Sequence, residues 1–546
     1  MKYFIIIIFF SFSITSFSQR QTSPKIVVGI VVDQMCYDYL YRFESNFSEG
    51  GFNKFLNQGM NCRNVQYNYV PTYTGPGHAS IYTGTTPSNH GIVGNDWYNR
   101  SNNNNINCVA DINSKTIGSN SEEGNVSPIN LKTYTITDQL KMTYPNAKVV
   151  SMSIKDRGAI LPGGHLSDGS YWFDYNSGTF ITSSFFKKEL PKWVSKFNSK
   201  NNAQTYSKTW NLLLPTEKYK SVDDSPYEVL VGGKTTPTFP YDLLKMSGGK
   251  LNTQYFTMSP FANTLLTDFA LEALTNENLG ADKQTDMLCI SYSTPDIVGH
   301  TFGPYSLEIE DIYARLDREL ERLISALETK YGKDGFVVFL TADHAVVPVP
   351  QMLIDKKLPG GYLFLDKLIT DLKSSSLSKF KTDLIEFETN QNIYLNLKKI
   401  DSLKLNKNEV TTFFANQIKN WPNVKAVFTH EELTNPAKDN EWKDMVRLGY
   451  DNKRSGEIIF IMEPGYLVKE IESANSHRGT SHGSSFNYDT HVPLLWYGNQ
   501  IAPIDVFTPY KIIDIAPTLT HLLKLQRSGA MTGNPILEIL KTQTHE

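Results

Sequence analysis

Several continuous apolar runs in this chain stop at a residue able to hold a metal ion, and that pairing limits what it can fold into. Asp33 ends KIVVGIVVDQ. Asp296 and His300 close DMLCISYSTPDIVGH. Asp343 and His344 end GFVVFLTADH, and His482 sits in GTSHGSS, just ahead of HVPLLWYG. Uninterrupted apolar strands belong to a parallel sheet covered on both faces, and the ligands of such sheets gather at the carboxyl ends of the strands. Four distant segments therefore bring three aspartates and three histidines to one rim. These are the oxygen and imidazole donors that suit a two-zinc site. The expected fold is α/β, a central mostly parallel sheet with helices on both faces and inserted lid or cap segments.

Lys25 to Gln34 reads as the first strand, and GHASIYTG opens a helix. Residues 99–125, with RSNNNNINC, read as a surface loop, and Asp138 to Met142 as helix. AKVVSMSIKDRGA reads as a strand whose end carries Lys155 and Arg157. Leu307, Ile309, Ile312, Leu316, Leu320, Leu323, Ile324 and Leu327 fall largely on one face of a helix spanning 306–332. That helix joins two apolar strands, as a parallel crossover requires. Residues near 163–258 are irregular and rich in aromatics, and those near 355–455 are rich in lysine; both read as insertions. KIIDIAPTLTHLLKL reads as a closing amphipathic helix. No internal repeat stands out.

The first residues, MKYFIIIIFFSFSITSFSQ, have the charged start, apolar centre and small-residue end of a secretory signal peptide, 1–18. The remainder, 19–546, is then a single catalytic domain with its insertions. No cysteine follows the apolar stretch to carry a lipid, and no later run reaches the roughly 18 apolar residues that cross a bilayer. The expectation is export to the periplasm, no membrane anchor, and a monomer. With a net charge of -3 and no block of lysine or arginine, nucleic acid is not the main partner. Cys36, Cys62, Cys108 and Cys289 contain no C-x-x-C pair, so the thiols are not the metal site. Export permits disulfides, but no pairing is assigned, and Cys289, within a strand, reads as a buried thiol.

Between the ligand segments lies the glycine-rich loop YTGPGHASIYTG, with Thr74 as its candidate nucleophile. A threonine hydroxyl is a weak nucleophile until a divalent metal lowers its pKa. The helix that follows offers backbone N–H groups and a positive dipole end to a phosphate. Asp296 and His300 are four residues apart, so one helical turn points both to one side. Asp343 and His344 are adjacent, which suits a turn at a strand end. His78, His90, His165 and His477 read as packing or hydrogen-bonding residues, and His491 as the start of a strand.

In order, VVDQM, PTYTGPGHASIYTG, GNDW, SIKDRGA, STPDIVGHTFGP, TADH and GTSHGS resemble the alkaline phosphatase superfamily. The resemblance is to its nucleotide pyrophosphatase/phosphodiesterase-like branch, and within that to the phosphate-irrepressible alkaline phosphatases. It implies two zinc ions and a covalent phospho-threonine intermediate. One zinc would be held by Asp296, His300 and His482. The other would be held by Asp33, Asp343 and His344, with Thr74 bound to it. Asn95, Lys155 and Arg157 would contact phosphoryl oxygens. The implied activity is hydrolysis of small-molecule phosphate monoesters to alcohol and inorganic phosphate, and the two cations favour the monoester dianion. A phosphodiesterase or nucleotide pyrophosphatase on the same scaffold is the alternative, and it needs an apolar pocket for its second ester group. A secreted metal-binding protein without activity is disfavoured by the intact nucleophile and ligands. A sulfatase lacks its C/S-x-P-x-R setting here, and the signal peptide argues against a cofactor-independent phosphoglycerate mutase.

Overall fold

A computed structural model describes residues 23–435, 441–473 and 475–541. The signal-peptide reading falls outside the described residues. Five strands make the parallel centre of the main sheet: β1 (Ile26–Val32), β2 (Val149–Ser153), β3 (Gly169–Asp174), β4 (Asp286–Tyr292) and β5 (Phe336–Thr341). Their spatial order is β5-β1-β4-β2-β3. Every residue of these strands is buried, which is why they are apolar without alternation. β6 (Leu494–Gly498) pairs antiparallel with β5. Short strands extend the sheet at both edges to ten.

The register decides where the functional residues land. Val32 lies beside Tyr292, Val31 beside Thr341, and Ser291 beside Ser153. The chain therefore leaves β1, β2, β4 and β5 at one rim. Four helices matter there: α1 (Thr74–Thr83), α2 (Asp156–Gly163), α3 (Thr294–Phe302) and α4 (Leu307–Tyr331). α4 joins β4 to β5 and buries the stripe Leu316, Leu320, Leu323 and Leu327. Ser306 Oγ accepts from the Ile309 N–H at 3.2 Å and caps its start.

A second, four-stranded antiparallel sheet is built from Ile385–Thr389, Asn392–Leu395, Ile458–Met462 and Val424–Thr429. Leu368, Phe414, Ile418, Ile458 and Phe460 form a core of its own. Much of this unit comes from the lysine-rich stretch. The aromatic stretch behaves differently at its start, because β3 and the neighbouring strand Thr179–Ser183 lie in the main sheet. Tyr171, Trp172 and Phe173 are consecutive, so no alternation marks them as strand. Beyond them, residues 207–250 carry only short elements.

Two local readings also shift. The strand drawn through Arg157 ends at Ser153; Lys155 is the N-cap of α2 and Arg157 lies in its first turn. The closing helix is shorter, Ile515–Leu522, and a further helix, Leu537–Lys541, follows it. Cys36, Cys62, Cys108 and Cys289 are all unpaired, and Cys289 is buried within β4.

Candidate active site and metal centre

Asp33 follows β1 directly, and its N–H extends the sheet ladder to Tyr292 O at 3.0 Å. Gln34 then turns the chain with a left-handed φ of 67°. That turn aims the Gln34 N–H at Asp343 Oδ1 (3.2 Å) and its Nε2 at Asp296 Oδ1 (2.6 Å). Asp296 sits in the first turn of α3 and His300 one turn later, with His300 Nε2 3.1 Å from Asp296 Oδ1. The i,i+4 spacing thus puts both on one helix face. His344 Nε2 lies 3.5 Å from Asp33 Oδ1 and 3.7 Å from Asp343 Oδ2. His482 Nε2 lies 3.5 Å from Asp296 Oδ1.

All three imidazoles are aimed by the backbone. His300 Nδ1 bonds to Thr480 O (2.9 Å), His344 Nδ1 to Ala345 O (3.0 Å) and His482 Nδ1 to Thr72 O (2.8 Å). Donation from Nδ1 fixes one tautomer and leaves Nε2 as the free lone pair. Burial lowers the pKa of His482, and burial together with the neighbouring His482 lowers that of His344. Both are thereby kept neutral, as a metal ligand must be. Burial works against protonation of half-exposed His300, but Asp296 beside it lifts its pKa.

The carboxylates are crowded. Burial, then the neighbouring Asp296, raises the pKa of Asp33, and burial, then Asp33, raises that of Asp343. Burial pushes Asp296 the same way, but His300 and Lys155 hold it well below the usual range. Asp33 Oδ1 and Asp343 Oδ2 are buried without a hydrogen-bond partner. A cation satisfies such oxygens. The donors fall into two clusters: Asp33, Asp343 and His344, and Asp296, His344 and His482. Oxygen with imidazole fits zinc, so the residues present suit the metal that the sequence implies. The clusters differ from the expected ligand sets in that His344 borders both and His300, beside Asp296, belongs to neither.

Thr74 is the first residue of α1, and its Oγ1 lies 3.5 Å from His344 Nε2. The loop must pass tightly over the end of β5: a Cβ on Gly77 would stand 2.2 Å from Asp343 O, so only glycine fits. Asn95 Oδ1 accepts from the Gly75 N–H at 2.7 Å. Lys155 Nζ bridges Asp33 Oδ2 (2.7 Å) and Asp296 Oδ2 (2.5 Å). Burial works against that charge, but Asp296 and Asp33 keep the lysine protonated. Arg157 turns to Asp156, with Nη1 3.4 Å from Oδ1, and its Nε is buried without a partner.

The sequence did not disclose Gln34 as the link between Asp296 and Asp343. Nor did it disclose the supports of His78, whose Nδ1 bonds Thr74 O (2.9 Å) and whose Nε2 meets Ser291 Oγ (2.8 Å). Burial lowers the His78 pKa to about 3, so it stays neutral beside Asp343 Oδ2 at 3.3 Å. Its place one helical turn after Thr74 was the available signal.

A hydroxyl at a helix start, facing two imidazole–carboxylate clusters with a lysine and an arginine at hand, defines a metal-assisted phosphoryl-transfer hydrolase on an α/β sheet. The chain belongs to the type I phosphodiesterase/nucleotide pyrophosphatase family, whose model matches residues 27–485. It is 41% identical to alkaline phosphatase PafA of Elizabethkingia meningoseptica, over 95% of this chain and 94% of that protein. It is 37% identical to a protein of Myroides odoratus named calcium-transporting ATPase, over 98% and 97%. The crystal structure of alkaline phosphatase PafA superposes with a TM-score of 0.90 at 40% identity, covering 94% of this chain and 99% of that one.

Proposed function

We propose that this protein is a periplasmic, zinc-dependent alkaline phosphatase. It hydrolyses small phosphate monoesters through a phospho-threonine intermediate. The observation that carries the reading is the position of Thr74 Oγ1, 3.5 Å from the imidazole shared by both donor clusters. The high identity to alkaline phosphatase PafA along nearly the whole chain supports it. Residues 1–18 are its signal peptide and 19–546 its catalytic domain, which acts as a monomer.

Asp296, His300 and His482 would hold one zinc ion, and Asp33, Asp343 and His344 the other, with Thr74 beside them. Bound there, zinc lowers the pKa of the threonine hydroxyl and neutralises charge on the phosphoryl oxygens. The protein supplies position. The start of α1 presents backbone N–H groups to the anion, and Asn95, Lys155 and Arg157 bind its remaining oxygens. Thr74 Oγ1 loses its proton and bonds to phosphorus while the ester P–O bond opposite it breaks. The alcohol leaves with a proton from water. Water then attacks the phospho-threonine, releasing inorganic phosphate and restoring Thr74. The terminal phosphoryl group of ATP is also a dianion, so ATP hydrolysis falls within the same chemistry. Among the described residues no helix is long and apolar enough to cross a membrane.

The test is kcat/KM for an aryl phosphate monoester against its matched diester, with zinc-loaded protein. Monoester preference should fall by at least about a hundredfold in Lys155→Ala/Arg157→Ala, which removes two charge-assisted contacts. A diester preference in the unaltered protein would replace this reading with that of a phosphodiesterase.

A further inference from the structure

A cavity of about 310 Å³ opens beside the catalytic loop, bounded on one side by Tyr73 and His482 and on the other by the four-stranded unit. Its volume suits a small ligand. Tyr73 precedes the nucleophile, and its ring meets the His482 ring edge-on at 5.5 Å. An in-line displacement expels the leaving oxygen on the side opposite the nucleophile. Thr74 stands at His344, which borders both donor clusters, while His482 belongs only to the cluster with Asp296, away from Asp33 and Asp343. The cavity therefore begins where the alcohol departs.

The lining has one sign of charge. Asp96, Glu470 and Asp489 contribute carboxyl groups, that of Asp489 raised by burial to about 7, and among the described residues that line it there is no lysine or arginine. Asp96 Oδ1 is anchored by Asn105 Nδ2 (3.0 Å) and Thr389 Oγ1 (3.1 Å). Asp489 is 1% exposed, and its Oδ1 accepts no hydrogen bond although Ser484 N–H serves the other oxygen at 2.7 Å. Tyr73 and Tyr466 add aromatic faces. Carboxylates with aromatic rings around a small cavity recognise an organic ammonium. Such a wall also suits the whole ester, because the anionic phosphoryl group is met by other residues, Lys155 and Arg157.

We infer that this cavity is the leaving-group subsite and selects phosphate monoesters of ammonium-bearing alcohols over neutral ones. The inference rests on the phosphomonoesterase reading and deepens it. Phosphocholine and its neutral carbon isostere, in which carbon replaces the quaternary nitrogen, differ in that charge alone. For the zinc-loaded protein, kcat/KM should favour phosphocholine by about tenfold, as expected for a desolvated cation against carboxylate and ring. Glu470→Gln should lower that ratio, and Asp96→Asn/Glu470→Gln should bring it near one, while kcat/KM for the neutral ester changes little in Glu470→Gln. Equal kcat/KM for the two esters in the unaltered protein, or a ratio that ignores both substitutions, would overturn the subsite. If neither monoester is turned over, it is the phosphomonoesterase reading that fails. Competition by choline against its neutral isostere, with whichever phosphoester is hydrolysed, then decides the cavity: stronger inhibition by choline supports it, and equal inhibition removes it.

Discussion

At the scale of single residues, the site divides into groups that react and groups that aim them. Thr74→Ala removes the attacking oxygen and leaves the donor clusters whole. Turnover should drop by at least about a thousandfold, with zinc content and melting temperature unchanged; retained turnover would exclude the covalent route. His344 borders both clusters, whereas His300 is half-exposed at the mouth. His344→Ala should therefore strip more zinc per chain than His300→Ala, measured by atomic absorption after dialysis. Equal losses would mean that the place of His344 between the two clusters adds nothing to metal retention. The candidate donors Asp33, Asp343 and His344 were legible in the sequence because each stands where a buried apolar strand ends. Gln34 was not legible: a glutamine after an aspartate carries no signal until the left-handed turn brings it across to Asp296. The partners of Lys155 were equally hidden, since they depend on how two carboxylates from distant segments share one ammonium.

At the scale of elements, the sheet register sets the site and the helix starts deliver it. Gly77 is the tightest point of α1 against Asp343. Gly77→Ala must push the loop outward, at a cost of about 1–3 kcal/mol, and should lower Tm and weaken zinc binding together. A second element-level consequence comes from α4. Glu308 in its first turn is buried; Tyr241 O–H donates to Oε1 at 2.5 Å, while Oε2 has no partner. Glu228 beside it has neither carboxylate oxygen satisfied. Burial raises both pKa values, and their mutual repulsion adds to that of Glu228. A raised carboxyl holds its proton in the folded state after the unfolded chain has released it. Stability is thus lost as pH rises from the ordinary carboxylate value of about 4.3 through the folded values. Glu308→Gln should flatten the fall in Tm between about pH 5 and pH 9; an unchanged slope would show that the pair is neutralised some other way. α4 itself was readable from its apolar stripe. β3 was not, because a strand buried on both faces by three successive aromatics has no period to detect.

At the scale of the whole molecule, two hydrophobic cores share one active-site wall. The main core surrounds the ten-stranded sheet, and the smaller one holds the four-stranded unit together. The sequence marked the smaller unit only by composition, since beyond one hairpin its antiparallel pairings join strands far apart in the chain. Phe414→Ala, deep in the smaller core, should cost about 3–5 kcal/mol there. Proteolysis should then begin within residues 365–462 while the main sheet still protects its own chain. Zinc removal acts on the other body. A ligand at a thousandfold excess over Kd contributes about 4 kcal/mol, so chelation should abolish turnover and lower Tm, and added zinc should restore both.

The donors are also spread in time. Asp33 is made early and His482 late, after nearly all of the main sheet, and β6, which fastens the outer side of β5, is later still. A growing chain folds from its amino end, so a nascent molecule carries aspartates and histidines but no finished cradle for a metal ion. Metallation is then a final act of maturation, taken from the metal pool of the place where the completed chain comes to rest.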